Sequence, residues 1–178
     1  MIGRTQLSEV EENSNETTDE TTTDRAAARA AADEAMIRFA VNEIDNAVDA
    51  KDWELCRSFF AREVAVDFTS LSGGEPARIA AEELIAAWRT NLFAEKKSFH
   101  QRTNHRIEID GDRAEVFSKG YAFNLLETGE AAGMWEVWGE YRHTLTRASS
   151  GWKVAAMSLT VRHTRGDDRV RAFVAPPQ

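Results

Sequence analysis

The sequence contains a single cysteine, Cys56, among 178 residues, which excludes an internal disulfide framework. It has no motif of the HExxH or HxH type, and its four histidines are not spaced as metal ligands, so a metal centre is not expected. Glycine-rich phosphate loops are missing too, because Gly73-Gly74 stands alone as a turn. These absences lead us to expect a protein that works without a cofactor.

The chain also has no basic stripe and no long apolar run. It holds 22 lysines and arginines against 30 aspartates and glutamates, for a formal net charge of −8. Residues 1–24 carry −6 of that charge, so the remainder is nearly neutral and nucleic acid is not an expected partner. No run approaches the roughly 18 apolar residues of a membrane span, and no apolar leader opens the sequence. We therefore expect a cytoplasmic protein without membrane contact.

Composition divides the chain into three parts. Residues 1–23 are rich in Glu, Thr, Asn and Ser, and we expect a disordered acidic tail because little can be buried to offset ordering entropy. Residues 24–165 are expected to form one domain, which is long enough for a single sizeable core. Residues 166–178 are read as a C-terminal extension.

Helical patterns dominate residues 24–93. Asp24 is a plausible N-cap for a first helix that ends near Asp49, and a second helix opens at Trp53. A short strand around residues 64–68 and a third helix over roughly 79–93 follow. The core stripe of the first helix has spacings of four, three and four: Ile37, Val41, Ile44 and Val48.

The second half of the chain reads as strands. Strand-like runs cover about 98–110, 113–127, 133–148 and 151–165, and Asp110-Gly111 is a tight hairpin signal. Three helices followed by an antiparallel meander predict an α+β fold. We expect the helices to pack on a strongly curved, mostly antiparallel sheet, giving a cone-shaped α+β barrel around a pocket.

Two polar residues occupy awkward positions in this scheme. Asp49 lies at the edge of the buried helix face, near the C-terminus, where its charge opposes the helix dipole. Strand alternation places His105 on the inward face with Ile107 and Ile109, and places His100 on the opposite face. A lone inward histidine is more often a core residue than a catalyst. A hydrogen bond between Asp49 and His105 would compensate both residues.

The segments around these two residues resemble a known family. Helix, VDAKDW, helix and strand over residues 41–68 resemble the opening of the SnoaL-like family, within the nuclear transport factor 2-like superfamily. In that family the scytalone dehydratases are the most similar: VDAKDW and RTNHRI resemble their segments around a paired aspartate and catalytic histidine. The resemblance covers roughly residues 33–165 and implies the cone-shaped fold and an Asp49–His105 dyad.

The resemblance fails at the groups that polarise the substrate in scytalone dehydratases. Val48 and Phe68 stand where those proteins have tyrosines, and Asn124 lies in the stretch that would hold their second histidine. Scytalone dehydratase activity itself is therefore not expected. Gly139 and Tyr141 match pocket-lining positions, and Tyr141 is the candidate hydrogen-bond donor.

The resemblance implies a small lyase or isomerase, that is, a dehydratase, isomerase or cyclase. Asp49 would fix the tautomer of His105 and make its second nitrogen more basic. The expected substrate is an apolar, cyclic or polyketide-like small molecule. The residues expected to bind it are Val48, Phe68, Trp88, Asn124 and Gly139.

A second interpretation stays open, in which the chain is a non-catalytic module. It would bind a hydrophobic ligand, or serve a structural role like the β subunits of ring-hydroxylating dioxygenases. In either case we expect a homodimer through the sheets, with a trimer as the second choice. The reason is that both faces of the later strands carry large side chains, including Trp135 and Trp138.

Overall fold

The computed structural model describes residues 5–174, with side chains from residue 22 onward, and it shows an α+β fold. The elements come in the order α1 (Thr5–Ala50), α2 (Trp53–Ser58), β1 (Phe60–Asp67), α3 (Thr69–Ser72), β2 (Ala77–Ala80), α4 (Ala81–Asn91), β3 (Lys97–Asp110), β4 (Arg113–Leu126), β5 (Gly133–Ala148), β6 (Gly151–Gly166) and α5 (Asp168–Ala172).

Helix α1 begins at Thr5, so the predicted start at Asp24 is wrong. The sequence has no glycine or proline between Gly3 and Gly73, and nothing in the backbone interrupts the helix before its end. The chain divides into two compact units, Met1–Ala35 and Met36–Gln178. The described residues of the first unit form the N-terminal part of α1, and the second contains the rest of α1 and the other elements.

Disorder of residues 1–23 in solution stays a prediction. Residues 1–4 lie outside the described residues, and residues 5–23 belong to α1. The sequence of this segment has few apolar residues, and a helix that buries no apolar face is marginal in water. We expect random-coil chemical shifts for residues 1–23 in solution NMR of the full chain. Dispersed, fixed resonances in the absence of a partner would contradict this expectation.

The six strands form one curved sheet in the order β2-β1-β6-β5-β4-β3. Strands β1 and β6 are parallel, and the other neighbours are antiparallel. The predicted α+β class and the curved, mostly antiparallel sheet are confirmed. The sheet is open rather than a closed barrel, because β2 and β3 are edge strands within the described residues. The four long strands match their predicted ranges to within one residue, whereas β2, α3 and α5 were not predicted.

The main core lies between α1 and the inner face of the sheet. The four stripe residues of α1 are at most 4% exposed, and they belong to the same cluster as Val64, Leu145 and Val154. Cys56 of α2 is fully buried in this cluster. Burial, together with Asp45 and Asp52, raises the pKa of its thiol to about 12, so the thiol is protonated at neutral pH and packs as a small apolar group.

Strand β3 contains a β-bulge that decides which of its side chains face inward. Thr103 pairs with Lys119 and Arg106 with Phe117, so β3 advances three residues while β4 moves back two. The bulged segment contains Asn104, whose backbone is left-handed with a φ of 56°. The bulge shifts the alternation along β3 by one residue. His100 therefore faces inward, and its predicted outward orientation is wrong.

Candidate active site

An Asp–His pair joins the end of α1 to strand β3. His100 Nδ1 lies 2.7 Å from Asp49 Oδ1, and the backbone N–H of His100 donates to Asp49 Oδ2 at 2.6 Å. Ser98 Oγ donates to Asp49 Oδ1 at 2.8 Å. Burial alone would raise the pKa of Asp49, but the hydrogen bonds from His100 and Ser98 hold it below its usual value. An ionised Asp49 assigns the proton to Nδ1 and leaves the lone pair of His100 on Nε2.

The turn after α1 supports this pair from behind. Lys51 has φ of 59°, and the backbone N–H groups of Lys51 and Asp52 donate to Val48 and Ala47 in the pattern of a Schellman cap. In this conformation Lys51 Nζ donates to Ser98 Oγ at 2.8 Å. Burial lowers the pKa of Lys51 while Asp49 opposes that shift. The chain Lys51–Ser98–Asp49–His100 thus fixes the carboxylate from the side away from the cavity.

His105 is not the partner of Asp49, and the predicted Asp49–His105 hydrogen bond is wrong. Asp49 bonds to Ser98 and His100, while His105 Nε2 is buried without a hydrogen-bond partner among the described residues. The bulge explains why His100 takes the place that was predicted for His105. It turns His100, rather than an adjacent residue of β3, towards the end of α1. Burial, with Arg38 and Arg102 nearby, lowers the pKa of His105.

A buried arginine lies two residues beyond His100. Arg102 makes a bidentate ion pair with Asp45 of α1, with Nε–Oδ2 at 2.5 Å and Nη2–Oδ1 at 2.7 Å. The two side chains are 4% and 7% exposed. Arg102 Nη1 lies 2.9 Å from His143 Nε2, and its guanidinium lies 3.9 Å from the centre of the Tyr141 ring. Burial lowers the pKa of Arg102, but Asp45 outweighs that effect and raises it, so the guanidinium stays charged.

A cavity of about 270 Å³ lies over these groups, at the small end for a small-molecule site. His100, Arg102 and Asp45 form one polar wall, and Asn91 and Arg171 belong to the lining as well. The rest of the lining is mostly apolar. The predicted site residues in the lining are Val48, Phe68, Trp88, Asn124 and Tyr141.

Gly139 is not in the cavity lining, although it was predicted to bind substrate. A Cβ there would lie 2.5 Å from Leu159 Cδ1 and 2.9 Å from the carbonyl oxygen of Thr160. Its role is therefore close packing of β5 on β6. Gly120 allows a similarly close approach within the site, since a Cβ there would lie 2.5 Å from Tyr141 Cε2. A larger residue at 120 would push the Tyr141 ring off the Arg102 guanidinium.

The buried histidine of this network gives a prediction about acid stability. Burial, Arg102 and His105 hold the pKa of His143 well below its usual value, so the native state keeps it neutral while the unfolded chain protonates it below about pH 6.5. The stability from neutral His143 is complete above that pH and is lost as the pH falls. We expect the free energy of unfolding to drop by up to about 1.4 kcal/mol per pH unit below pH 6.5 from this residue.

Urea unfolding at a series of pH values measures that slope. His143→Gln retains an acceptor for Arg102 and removes the titrating ring. The slope of its unfolding free energy against pH is therefore expected to be shallower, by the contribution of about one proton. His163→Gln, on the exposed end of β6, is the control and keeps the wild-type slope. Equal slopes for wild type and His143→Gln would contradict the prediction.

Comparison with known proteins places this architecture in a family. A sequence profile described as the SnoaL-like domain matches residues 29–158. The chain belongs to the SnoaL-like family. A search of curated protein sequences finds no match for this SnoaL-like protein.

Three solved structures show the same fold. The Kfla4162 protein from Kribbella flavida has a TM-score of 0.75 and 25% identity, covering 81% of this chain and 99% of its own. A proposed scytalone dehydratase from Novosphingobium aromaticivorans has a TM-score of 0.65 and 15% identity, covering 76% of this chain and 88% of its own. A type 2 hexachlorocyclohexane dehydrochlorinase has a TM-score of 0.64 and 15% identity, covering 88% of this chain and 97% of its own. The SnoaL-like chain is thus similar in fold to proteins named for eliminations.

Over the described part of the chain, no three His, Cys, Asp or Glu side chains come together as ligands for a metal ion. Among the helices of residues 5–174, none combines the length and the apolar character needed to cross a bilayer.

Sequence reasoning missed three residues of the site: His100, Arg102 and Asp45. A signal for the first two was Asn104, since asparagine is depleted in strands and tolerates a left-handed backbone, which together favour a bulge. Asp45 follows Ile44 directly and lies one turn beyond Val41 of the apolar stripe. A charged residue at that place needs a buried partner.

Proposed function

We propose that this SnoaL-like protein is a cofactor-independent lyase or isomerase that uses the Asp49–His100 pair as its base. The observation that carries this proposal is the 2.7 Å contact between Asp49 Oδ1 and His100 Nδ1, on a histidine that lines a mostly apolar cavity. It replaces the predicted Asp49–His105 dyad with a pair built from the same aspartate. Tyr141 keeps its proposed role as a donor to the substrate.

The chemistry follows from the tautomer. His100 Nε2 takes a proton from a carbon of the substrate, and Asp49 stabilises the imidazolium that forms. The electrons of the C–H bond either expel a leaving group on the adjacent carbon or move into a neighbouring carbonyl. In the first case the product is an alkene; in the second, return of the proton to another carbon completes an isomerisation. Neither route needs a second reagent.

The substrate class follows from the cavity. Val48, Phe68 and Trp88 give it apolar walls, and at about 270 Å³ it suits a small, compact molecule. Members of the SnoaL-like family bind small hydrophobic molecules. A dehydratase and a dehydrochlorinase among the similar structures support an elimination or a related proton transfer.

Deuterium exchange tests the proposed base without knowledge of the natural substrate. Apolar cyclic ketones such as 2-tetralone would be incubated with the protein in D₂O, and loss of the α-proton signal followed by NMR. We expect the wild type to accelerate exchange above the buffer rate. A protein that binds these ketones without accelerating their exchange would instead be the non-catalytic ligand-binding module.

A homodimer through the outer sheet face remains part of the proposal. That face carries Phe99, which is 45% exposed and stacks on Phe123 at 5.8 Å, and a Tyr121–Trp138 contact at 5.0 Å. We expect sedimentation to give twice the chain mass, or three times for the second choice, a trimer. Phe99→Glu should weaken the assembly, while Phe39→Glu, 59% exposed on α1, should not. A monomer mass that does not change with concentration would contradict the prediction.

A further inference from the structure

The hydrogen-bond donors of Arg102 are not all used inside the protein. A guanidinium has five N–H groups. Two of them donate to Asp45 and one to His143 Nε2, and no other acceptor contacts Arg102 within the described residues. With the side chain 4% exposed and part of the cavity wall, the two remaining N–H groups have only the cavity contents as partners.

The position of Arg102 relative to the base is fixed by the strand. His100 and Arg102 are two residues apart before the bulge, on the same face of β3, so their Cα atoms are separated by about 6.6 Å. A substrate between the two side chains can therefore present a C–H bond to His100 and an adjacent oxygen to Arg102. Both residues line the same cavity.

The surroundings hold the guanidinium in place as a charged donor. The bidentate contact with Asp45 sets its plane, and the Tyr141 ring covers one face at 3.9 Å. Tyr141 also lines the cavity, and its hydroxyl makes no hydrogen bond within the described residues. The site thus offers fixed donors from Arg102 and Tyr141 on the wall of a mostly apolar cavity.

We propose that Arg102, assisted by Tyr141, holds the carbonyl oxygen of the substrate, and that the substrate class is an apolar carbonyl compound with a C–H bond next to the carbonyl. This rests on the proposed function. His100 Nε2 receives the proton, the C–H electron pair becomes a C=C bond, and the carbonyl π electrons move to oxygen as an enolate. The Arg102 N–H groups and the Tyr141 O–H stabilise that negative oxygen. Arg102 thus supplies the polarising group that the sequence lacks at Val48 and Phe68.

Nitrophenols test the oxygen site separately from catalysis. A nitrophenolate is a planar apolar ring with a negative oxygen, like an enolate, and its absorption differs from that of the neutral phenol. We expect the wild type to bind nitrophenols as phenolates at pH values where the free compounds are still largely neutral. Nitrobenzene, the same ring without the oxygen, is the control for the apolar walls. Binding as the neutral phenol, or no binding, would overturn the proposal.

The matched variant is Asp45→Asn/Arg102→Gln, which removes both charges together and leaves neither one buried alone. We expect its nitrophenolate affinity to fall roughly ten- to a hundredfold, the scale of one hydrogen bond to a charged group, with nitrobenzene affinity unchanged. Tyr141→Phe should show a smaller loss. An unchanged phenolate affinity in the double variant would overturn the assignment. If that variant does not fold, a crystal structure of the wild-type complex decides, with the oxygen expected about 2.7–3.1 Å from Arg102.

His100→Ala separates this inference from the proposed function. The variant should lose ketone exchange but keep nitrophenolate binding, because the oxygen site does not depend on the base. If His100→Ala retained exchange while Arg102-dependent binding persisted, the base would be misassigned and the oxygen site would stand. If exchange depended on His100 but phenolate binding did not depend on Arg102, the base would stand and the oxygen site would fail.

Discussion

Replacing His100 with alanine is expected to lower the enzyme-catalysed exchange rate of an apolar ketone by roughly 10²–10⁴-fold, the usual contribution of a general base. His105→Ala is the matched comparison, since His105 lies on the same strand beyond the bulge and does not contact Asp49. It should leave the rate nearly unchanged. Circular dichroism and the unfolding midpoint check that both variants are folded.

Asp49→Asn tests the role of the carboxylate in the same assay. An amide can donate to the ring and favour the tautomer with its proton on Nε2, which cannot accept a proton from the substrate. We therefore expect a loss of rate close to that of His100→Ala. Full activity in Asp49→Asn, or a larger loss in His105→Ala than in His100→Ala, would refute the proposed pair.

Local patterns were enough to predict the framework of this fold. The four long strands are bounded by turn signals such as Asp110-Gly111, and their limits follow from those signals. The stripe of α1 was correct because its spacing depends only on helical geometry. Asp49, Val48, Phe68, Trp88, Asn124 and Tyr141 were predicted from helical patterns and the family resemblance, and they lie in or beside the cavity.

The parts that sequence reasoning missed depend on register and on distant contacts. Strict alternation gave His100 the outward position because one inserted residue at Asn104 is invisible to a period of two. Gly139 was assigned to the pocket through the family resemblance, although the space that its side chain would occupy is filled by Leu159. The Asp45–Arg102 pair joins residues 57 positions apart, and no local pattern connects them.

Replacing Arg102 with glutamine is expected to destabilise the protein by about 3–5 kcal/mol, the usual effect of removing one partner from a buried ion pair. The carboxylate of Asp45 would remain 7% exposed without its counter-charge, and His143 Nε2 would lose its donor. Urea unfolding at neutral pH measures the change. The double variant Asp45→Asn/Arg102→Gln should recover most of the stability, because the uncompensated charge is then absent.

A second bidentate pair provides the control for Arg102→Gln. Arg171 donates from Nε and Nη2 to Asp168 at 2.7 and 2.9 Å, with the same bidentate contact pattern as Arg102 and Asp45. The carboxylate left behind, Asp168, is 68% exposed, so water replaces the lost partner and Arg171→Gln should change stability far less. Equal losses in the two variants would show that burial does not set the effect. A double variant as unstable as Arg102→Gln would show that lost packing, rather than the unpaired Asp45 charge, accounts for it.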